Sequence, residues 1–357
     1  MSDFDLTPPI KSTISSSPNR PRPNPNYYRP SINRVKKTKI MVYLLSLYIV
    51  MDIVIRNELF RLSISNLKSL RSSVFYSQVI ALDLTYIEFI ATPYAFFIVT
   101  CFMYHICDQT KSLVFVLCGS FSIGLACLLK MLVNEPEPYY LDGVSCKQCT
   151  FDYGNPSLPA VLSVSMYISL WDLLTRQYHI NIFTRYIFLL LAALVIVTVG
   201  LALFYTGNAT YNQILNGWVW GYVSYFLICD IVYYEICKFV NRISESSKIT
   251  LMFYSFVLVY FFVTMIVLVI LFINDFYHPV PQDWKFNYAI NCQISDGAIP
   301  VLGYKYLSDQ PMLVTFQNYL YTFFIIGAYT GIIIEQKQFH CRHYPYFFVT
   351  DPASTFQ

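Results

Sequence analysis

The chain has 357 residues, of which 56% are hydrophobic and only 13% are charged, and its mean hydropathy is +0.47. Soluble domains carry about 25% charged residues, so this composition excludes an ordinary soluble protein and predicts an all-α, polytopic membrane protein. The formal net charge of +3 is too small to indicate a nucleic-acid partner.

The N-terminal segment, residues 1–38, is rich in Ser and Pro and shows no apolar periodicity. This composition predicts a disordered arm. Its basic end, from Arg34 to Lys39, lies against the first apolar run, so the positive-inside rule predicts a cytoplasmic N-terminus. We expect no secretory signal peptide, because the first apolar segment comes too late in the chain.

Apolar runs of about 20 residues predict membrane spans. Between the first two runs, segment 57–78 places its large apolar residues on one helical face, which predicts an amphipathic helix on the membrane surface. Eight spans would return the chain to its starting side, so the C-terminal tail, 336–357, is also expected in the cytoplasm. The eight predicted spans are 40–56, 85–107, 112–133, 158–176, 186–205, 211–235, 250–273 and 313–334.

Two polar segments interrupt the apolar runs on the side expected to face away from the cytoplasm. The first, 130–160, is the longest turn-rich stretch in the middle of the chain, and the second, 203–213, joins the fifth and sixth spans. Their distinctive residues are Lys130, Pro138-Tyr139-Tyr140, Gly154-Asn155-Pro156-Ser157, Gly207 and Asn212-Gln213-Ile214-Leu215-Asn216-Gly217-Trp218.

This layout resembles the type 2 phosphatidic acid phosphatase superfamily, which includes lipid phosphate phosphatases, sphingoid-base phosphate phosphatases and glucose-6-phosphatase. The resemblance implies a six-helix core over residues 39–236. The two additional predicted helices and their non-cytoplasmic loop, over 237–335, lie outside it. It also implies the endoplasmic reticulum membrane as the location. In that family, cations and amides hold the phosphoryl group, one histidine attacks phosphorus, and a second histidine protonates the leaving group.

Compared with the family pattern, the chain keeps the frame and lacks most of the chemistry. Glu137 stands where the first-motif arginine is expected, and an anion there would repel phosphate. Pro159 stands at the acid histidine of the second motif. In the third motif, the arginine, the attacking histidine and the orienting aspartate are replaced by Leu203, Ala209 and Gln213. The matching positions are Lys130, Glu137, Pro138, Pro156, Ser157, Pro159, Leu203, Ala209 and Gln213.

No His, Lys or Arg occurs between Arg185 and Lys238, so a shifted alignment does not supply the third motif. We therefore interpret the chain as a catalytically inactive relative that binds lipid or acts as a structural or scaffold subunit of a membrane complex. The expected partners are membrane lipids and other membrane-protein subunits, and we expect no cofactor. Two alternatives stay open. One is an active sphingoid-base or other lipid phosphate phosphatase with a displaced site that includes His278, and the other is a transporter or channel that uses intramembrane acids such as Glu88, Asp172 and Asp230.

The chain contains ten cysteines, most of them inside apolar runs, where they are typical small buried residues. Cys146 and Cys149 lie in the loop expected outside the cytoplasm and are candidates for a disulfide, with Cys292 as a further candidate partner. A zinc site there would need two more ligands that the sequence does not offer, so we expect no metal.

Overall fold

The structure is a computed structural model that describes residues 32–72, 78–107, 109–141, 143–144, 149–178, 181–238, 249–277, 280–292 and 311–338. Every regular element in these ranges is helical. Six helices of the described part are long and apolar enough to cross a membrane, or seven if one bent pair is a single span. The prediction of an all-α, polytopic membrane protein is confirmed, whereas the count of eight spans stays a prediction.

The first helix, α1 (Ile32–Ser72), is continuous over 41 residues. It begins inside the arm predicted to be disordered, and the predicted break between a span at 40–56 and a surface helix at 57–78 is absent. Nothing in its sequence interrupts it, because it contains neither Pro nor Gly. Its second half packs into the protein, since Ser63 and Leu67 are fully buried. The described residues from Ile49 onward form one compact unit, and those before it belong to another.

The second predicted span is bent rather than straight. Helices α2 (Gln78–Phe89) and α3 (Pro93–Ile106) meet at an angle of 52°. Pro93 occupies the first turn of α3, and the Thr92 hydroxyl accepts a hydrogen bond from the Ala95 amide at 3.4 Å. This proline and N-cap combination is typical of a helix start, and it explains why α2 does not continue into α3.

Four helices form the centre of the compact unit: α4 (Gln109–Val133), α5 (Leu158–Tyr178), α6 (Ile182–Thr206) and α7 (Tyr211–Tyr225). Helix α5 packs against the other three. The contact with α7 is close because Gly221 has no side chain, and a Cβ atom there would lie 2.4 Å from the Val161 carbonyl oxygen. Helix α7 continues through a π-helical segment, Phe226–Val232, to Lys238.

The remaining elements are α8 (Ile249–Tyr277), α9 (Gln282–Asn291), α10 (Pro311–Leu320) and α11 (Phe324–Gln338). The predicted span at 313–334 is interrupted, because a 3₁₀ turn at Tyr321–Phe323 separates α10 from α11. Helices α10 and α11 pack against α4, while α9 packs against a 3₁₀ turn at Pro138–Tyr140 that follows α4. The added helices therefore lie beside the polar stretch at 130–160.

Candidate functional site

The three motif segments, 130–138, 154–159 and 203–213, are far apart in the chain. They meet beyond the end of α4 and at the start of α7. The Ser157 amide donates a hydrogen bond to the Gln213 carbonyl oxygen at 3.2 Å, and the Gly154 amide donates to the Glu135 carbonyl oxygen at 2.8 Å. The Gln213 side chain donates to the Pro136 carbonyl oxygen at 2.8 Å. These contacts bring the first, second and third motif segments together in one place.

Lys130, in the last turn of α4, is buried and already has a counter-ion. Its Nζ atom lies 2.7 Å from Oδ2 of Asp152. The other oxygen, Oδ1, accepts hydrogen bonds from the Thr315 hydroxyl at 2.6 Å and from the Tyr153 amide at 2.8 Å. The chain itself thus supplies a counter-ion to the buried cation at the first motif position. Asp152 is not one of the motif positions, so the sequence pattern does not indicate this role.

Glu137, at the position of the first-motif arginine, is buried with an unsatisfied oxygen. Its Oε2 atom has no hydrogen-bond partner among the described residues. Buried acceptors without donors are costly, and this position offers a carboxyl group where the family pattern has a bidentate cation. Pro138, next in the chain, begins the 3₁₀ turn at Pro138–Tyr140.

Gln213, at the position of the orienting aspartate, belongs to a network of carboxamides around Glu135. Oε1 of Glu135 accepts from Nδ2 of Asn212 at 2.6 Å and from Nε2 of Gln213 at 3.2 Å. Its Oε2 accepts from Nδ2 of Asn155 at 2.7 Å. Oε1 of Gln213 accepts from the Thr210 amide at 3.0 Å and completes a capping box for α7. Gln213 therefore holds two loops and a helix start together.

The other two third-motif positions are apolar and packed. Leu203 and Ala209 are buried in one cluster, and the Ala209 amide donates to the Leu203 carbonyl oxygen at 3.1 Å. Ala209 stands where the family pattern has the attacking histidine, and its methyl side chain cannot bond to phosphorus. In the second motif, Pro156 follows a cis peptide bond and Pro159 lies in the first turn of α5.

Glu88, one of the intramembrane acids, lies beside the third-motif loop. It accepts hydrogen bonds from the Thr206 hydroxyl and from the Asn208 side-chain amide. A guanidinium nitrogen of Arg71 donates to the Thr206 carbonyl oxygen at 2.9 Å. The second half of α1, where Arg71 lies, therefore contacts this loop.

The acids Asp172 and Asp230, on which the transporter alternative depends, share one arginine. Arg176 Nε donates to Asp172 at 2.9 Å, and Arg176 Nη2 lies 3.3 Å from Asp230. The guanidinium also stands 5.0 Å from the centre of the Tyr233 ring. Paired acids of this kind are typical of a structural ion pair between α5 and the π-helical part of α7.

The structure joins Cys149 to Cys292 in a disulfide. The candidates Cys146 and His278 lie outside the described residues. Among the residues that are described, no group of three His, Cys, Asp or Glu side chains is arranged to hold a metal ion.

No family model matches the chain, and no curated protein matches it either. The chain is similar to a solved structure described as the first transmembrane PAP2 type phosphatidylglycerolphosphate phosphatase from Bacillus subtilis. The similarity covers 53% of this chain and 94% of that chain, with 16% identical residues and a TM-score of 0.45.

Proposed function

We propose that the chain is a non-catalytic, type 2 phosphatidic acid phosphatase-like membrane protein that binds lipid or serves as a structural or scaffold subunit of a membrane complex. The supporting observation is that the residues at the three catalytic positions of the third motif have contacts of their own. Leu203 and Ala209 are packed in an apolar cluster, and Gln213 is bonded to two loops. A phosphoryl-transfer site at this place lacks a nucleophile.

The size of the expected loss follows from the missing groups. Loss of the attacking histidine removes the covalent route, because no other nucleophile stands at Ala209. Each missing phosphate-binding or acid group typically costs a further factor of about 10² to 10³. These factors do not multiply freely, since groups that act as a unit are lost together. Even so, the remaining activity should fall below detection.

The test is phosphate release by the purified protein from a sphingoid-base phosphate and from glucose 6-phosphate. We expect no release above a detergent blank. Lys130→Ala and Ser157→Ala are the matched controls, because they remove the one cation and the one hydroxyl of the family's phosphate site that the chain retains. Turnover that survives both changes would indicate a contaminating phosphatase. Turnover that both changes abolish in variants that still fold would overturn the proposal and favour the displaced-site alternative.

The binding part of the proposal has two forms, which native mass spectrometry separates. A protein released from the micelle with an adduct of lipid mass would support lipid binding. Co-purification with a second membrane protein in fixed ratio would support the subunit form. A chain that retains neither lipid nor protein from its native membrane would count against both forms.

We also propose the endoplasmic reticulum membrane, with both termini in the cytoplasm. The basic residues that precede the first apolar run support this orientation. In sealed microsomes, with the lumen inside, a tag at either terminus should be digested by added protease without detergent. Protection of either tag would contradict the proposed orientation.

A further inference from the structure

We propose that Asp152 is a built-in anion that fills the Lys130 end of the site, and that α9 and the start of α10 form a cap, tethered by the Cys149–Cys292 disulfide, that keeps it there. This inference rests on the proposed function in one respect, namely that Lys130 marks an anion site. Three layers of contact, from Lys130 outward, support it.

The innermost layer is the ion pair itself. Lys130 and Asp152 are both buried, and Nζ of the lysine lies 2.7 Å from Oδ2 of the aspartate. The second oxygen of the carboxylate accepts from the hydroxyl of Thr315, which belongs to α10 and not to the phosphatase-like core. A carboxylate can accept several donors at once, and here one of those donors comes from the added helices. The added helices thus help to fix the anion on the lysine.

The middle layer is the 3₁₀ turn at Pro138–Tyr140. It positions the backbone of the loop that carries Asp152, residues 149–153, which we call the acidic loop. The Tyr140 hydroxyl donates to the Asp152 carbonyl oxygen at 2.8 Å, and the Tyr139 hydroxyl donates to the Thr150 carbonyl oxygen at 2.6 Å. Both tyrosine side chains are almost completely buried. Displacement of this turn would therefore displace the loop that carries Asp152.

The outer layer is α9, which covers the turn. Nδ2 of Asn291 donates to the carbonyl oxygens of Tyr139 at 3.0 Å and Leu141 at 2.8 Å, and Nδ2 of Asn287 donates to that of Tyr140 at 3.0 Å. The Trp284 ring stacks on the Tyr140 ring, with centroids 5.8 Å apart. The two asparagine side chains satisfy backbone acceptors that the short turn leaves free.

The disulfide ties the outer layer to the acidic loop. Cys292 directly follows Asn291, and Cys149 directly precedes Thr150, so the bond joins the end of α9 to the loop three residues before Asp152. An external dithiol would open it by exchange: the dithiol gives two electrons and becomes a disulfide, and both protein sulfurs end as thiols. Without the tether, the cap is held by its hydrogen bonds and ring contacts.

The first experiment measures opening by amide hydrogen exchange in the detergent-solubilised protein, with and without a dithiol. Reduction should speed exchange in peptides that cover 138–153 by at least about ten-fold, as expected when a cross-link is lost, and should leave α5 and α7 unchanged. Cys292→Ser should reproduce this result, and Cys101→Ser, at an exposed free cysteine, should not. Asn291→Ala, which keeps the tether, should give a smaller increase. Unchanged exchange on reduction would overturn the cap.

The second experiment measures binding of a water-soluble, short-chain phosphatidic acid to the same samples. Opening the cap should tighten binding at least about ten-fold. Lys130→Met should abolish this gain, because it removes the cation beside which the phosphate of the ligand would take the place of Asp152. Faster exchange with no gain in binding would overturn the built-in anion but not the non-catalytic function. Phosphate release from the opened protein would instead overturn the proposed function. If Cys292→Ser does not fold, the wild-type protein with and without the dithiol gives the same comparison.

Discussion

Removing either partner of the Lys130–Asp152 pair should destabilise the protein strongly and unequally. Only 6% and 2% of the two side-chain surfaces are exposed, so solvent does not screen the charge that is left behind. Breaking a buried pair in this way typically costs about 3–5 kcal/mol. The cost of Asp152→Leu should lie at the upper end of this range, because the substitution also removes the acceptor of the Thr315 hydroxyl and the Tyr153 amide. Each such unsatisfied donor costs about 1–3 kcal/mol.

Lys130→Met should cost less than Asp152→Leu, because the carboxylate keeps its two other donors. The double variant should cost less than the sum of the single variants by about 2 kcal/mol or more, since it removes both charges of the pair together. The assay is equilibrium unfolding in mixed micelles, followed by tryptophan fluorescence. Glu58→Gln is the control, because it breaks the exposed pair with Arg61, a kind of pair that contributes about 0–1 kcal/mol.

Two results would refute this reasoning. One is a cost for Asp152→Leu no greater than that for Glu58→Gln, which would mean that the pair is solvated. The other is additivity of the two single variants, which would mean that the two charges do not interact in the folded protein.

The remaining predictions concern a close helix contact and a glycosylation sequence. Gly221→Ala should destabilise by about 1–3 kcal/mol by forcing α5 and α7 apart, since its Cβ would lie 2.4 Å from the Val161 carbonyl oxygen. Gly327→Ala, whose Cβ would meet nothing within 4 Å, should be neutral or stabilising in the same unfolding assay, and equal costs for the two would contradict the close contact. Asn208, in an Asn-Ala-Thr sequence, should remain unglycosylated because its amide donates to Glu88. A glycosidase-sensitive gel shift that Asn208→Gln removes would show otherwise.

Local sequence signals predicted much of the fold. Long apolar runs gave helices close to the predicted spans over 112–133, 158–176 and 186–205, because such runs need no information from the rest of the chain. The same signals failed at α1, where they predicted a span at 40–56 and a separate helix at 57–78, whereas one helix runs through Asp52 and Arg56. In the structure these residues pair within the helix, and Asn216 donates to Asp52 at 3.0 Å.

The candidate site was predictable only in part. The motif order indicated which segments meet, and the contact between Ser157 and Gln213 has that arrangement. The partners that define the local chemistry come from other parts of the chain: Asp152 on Lys130, and Thr315 on Asp152. No periodicity or motif spacing links a threonine on α10 to an acid in the loop before α5. Such pairings arise from tertiary packing and are invisible to local reasoning.

The Cys149–Cys292 bond also restricts how the chain threads the membrane. Two sulfurs can bond only when they lie in the same compartment, so the number of crossings between them must be even. In the described part of the chain, four candidate spans lie between these cysteines: Leu158–Arg176, Ile182–Thr206, Tyr211–Lys238 and Ser255–Ile273. Four has the required parity, and it has that parity whichever side the N-terminus occupies. If any one of these helices entered and left on the same side, the two cysteines would face opposite compartments.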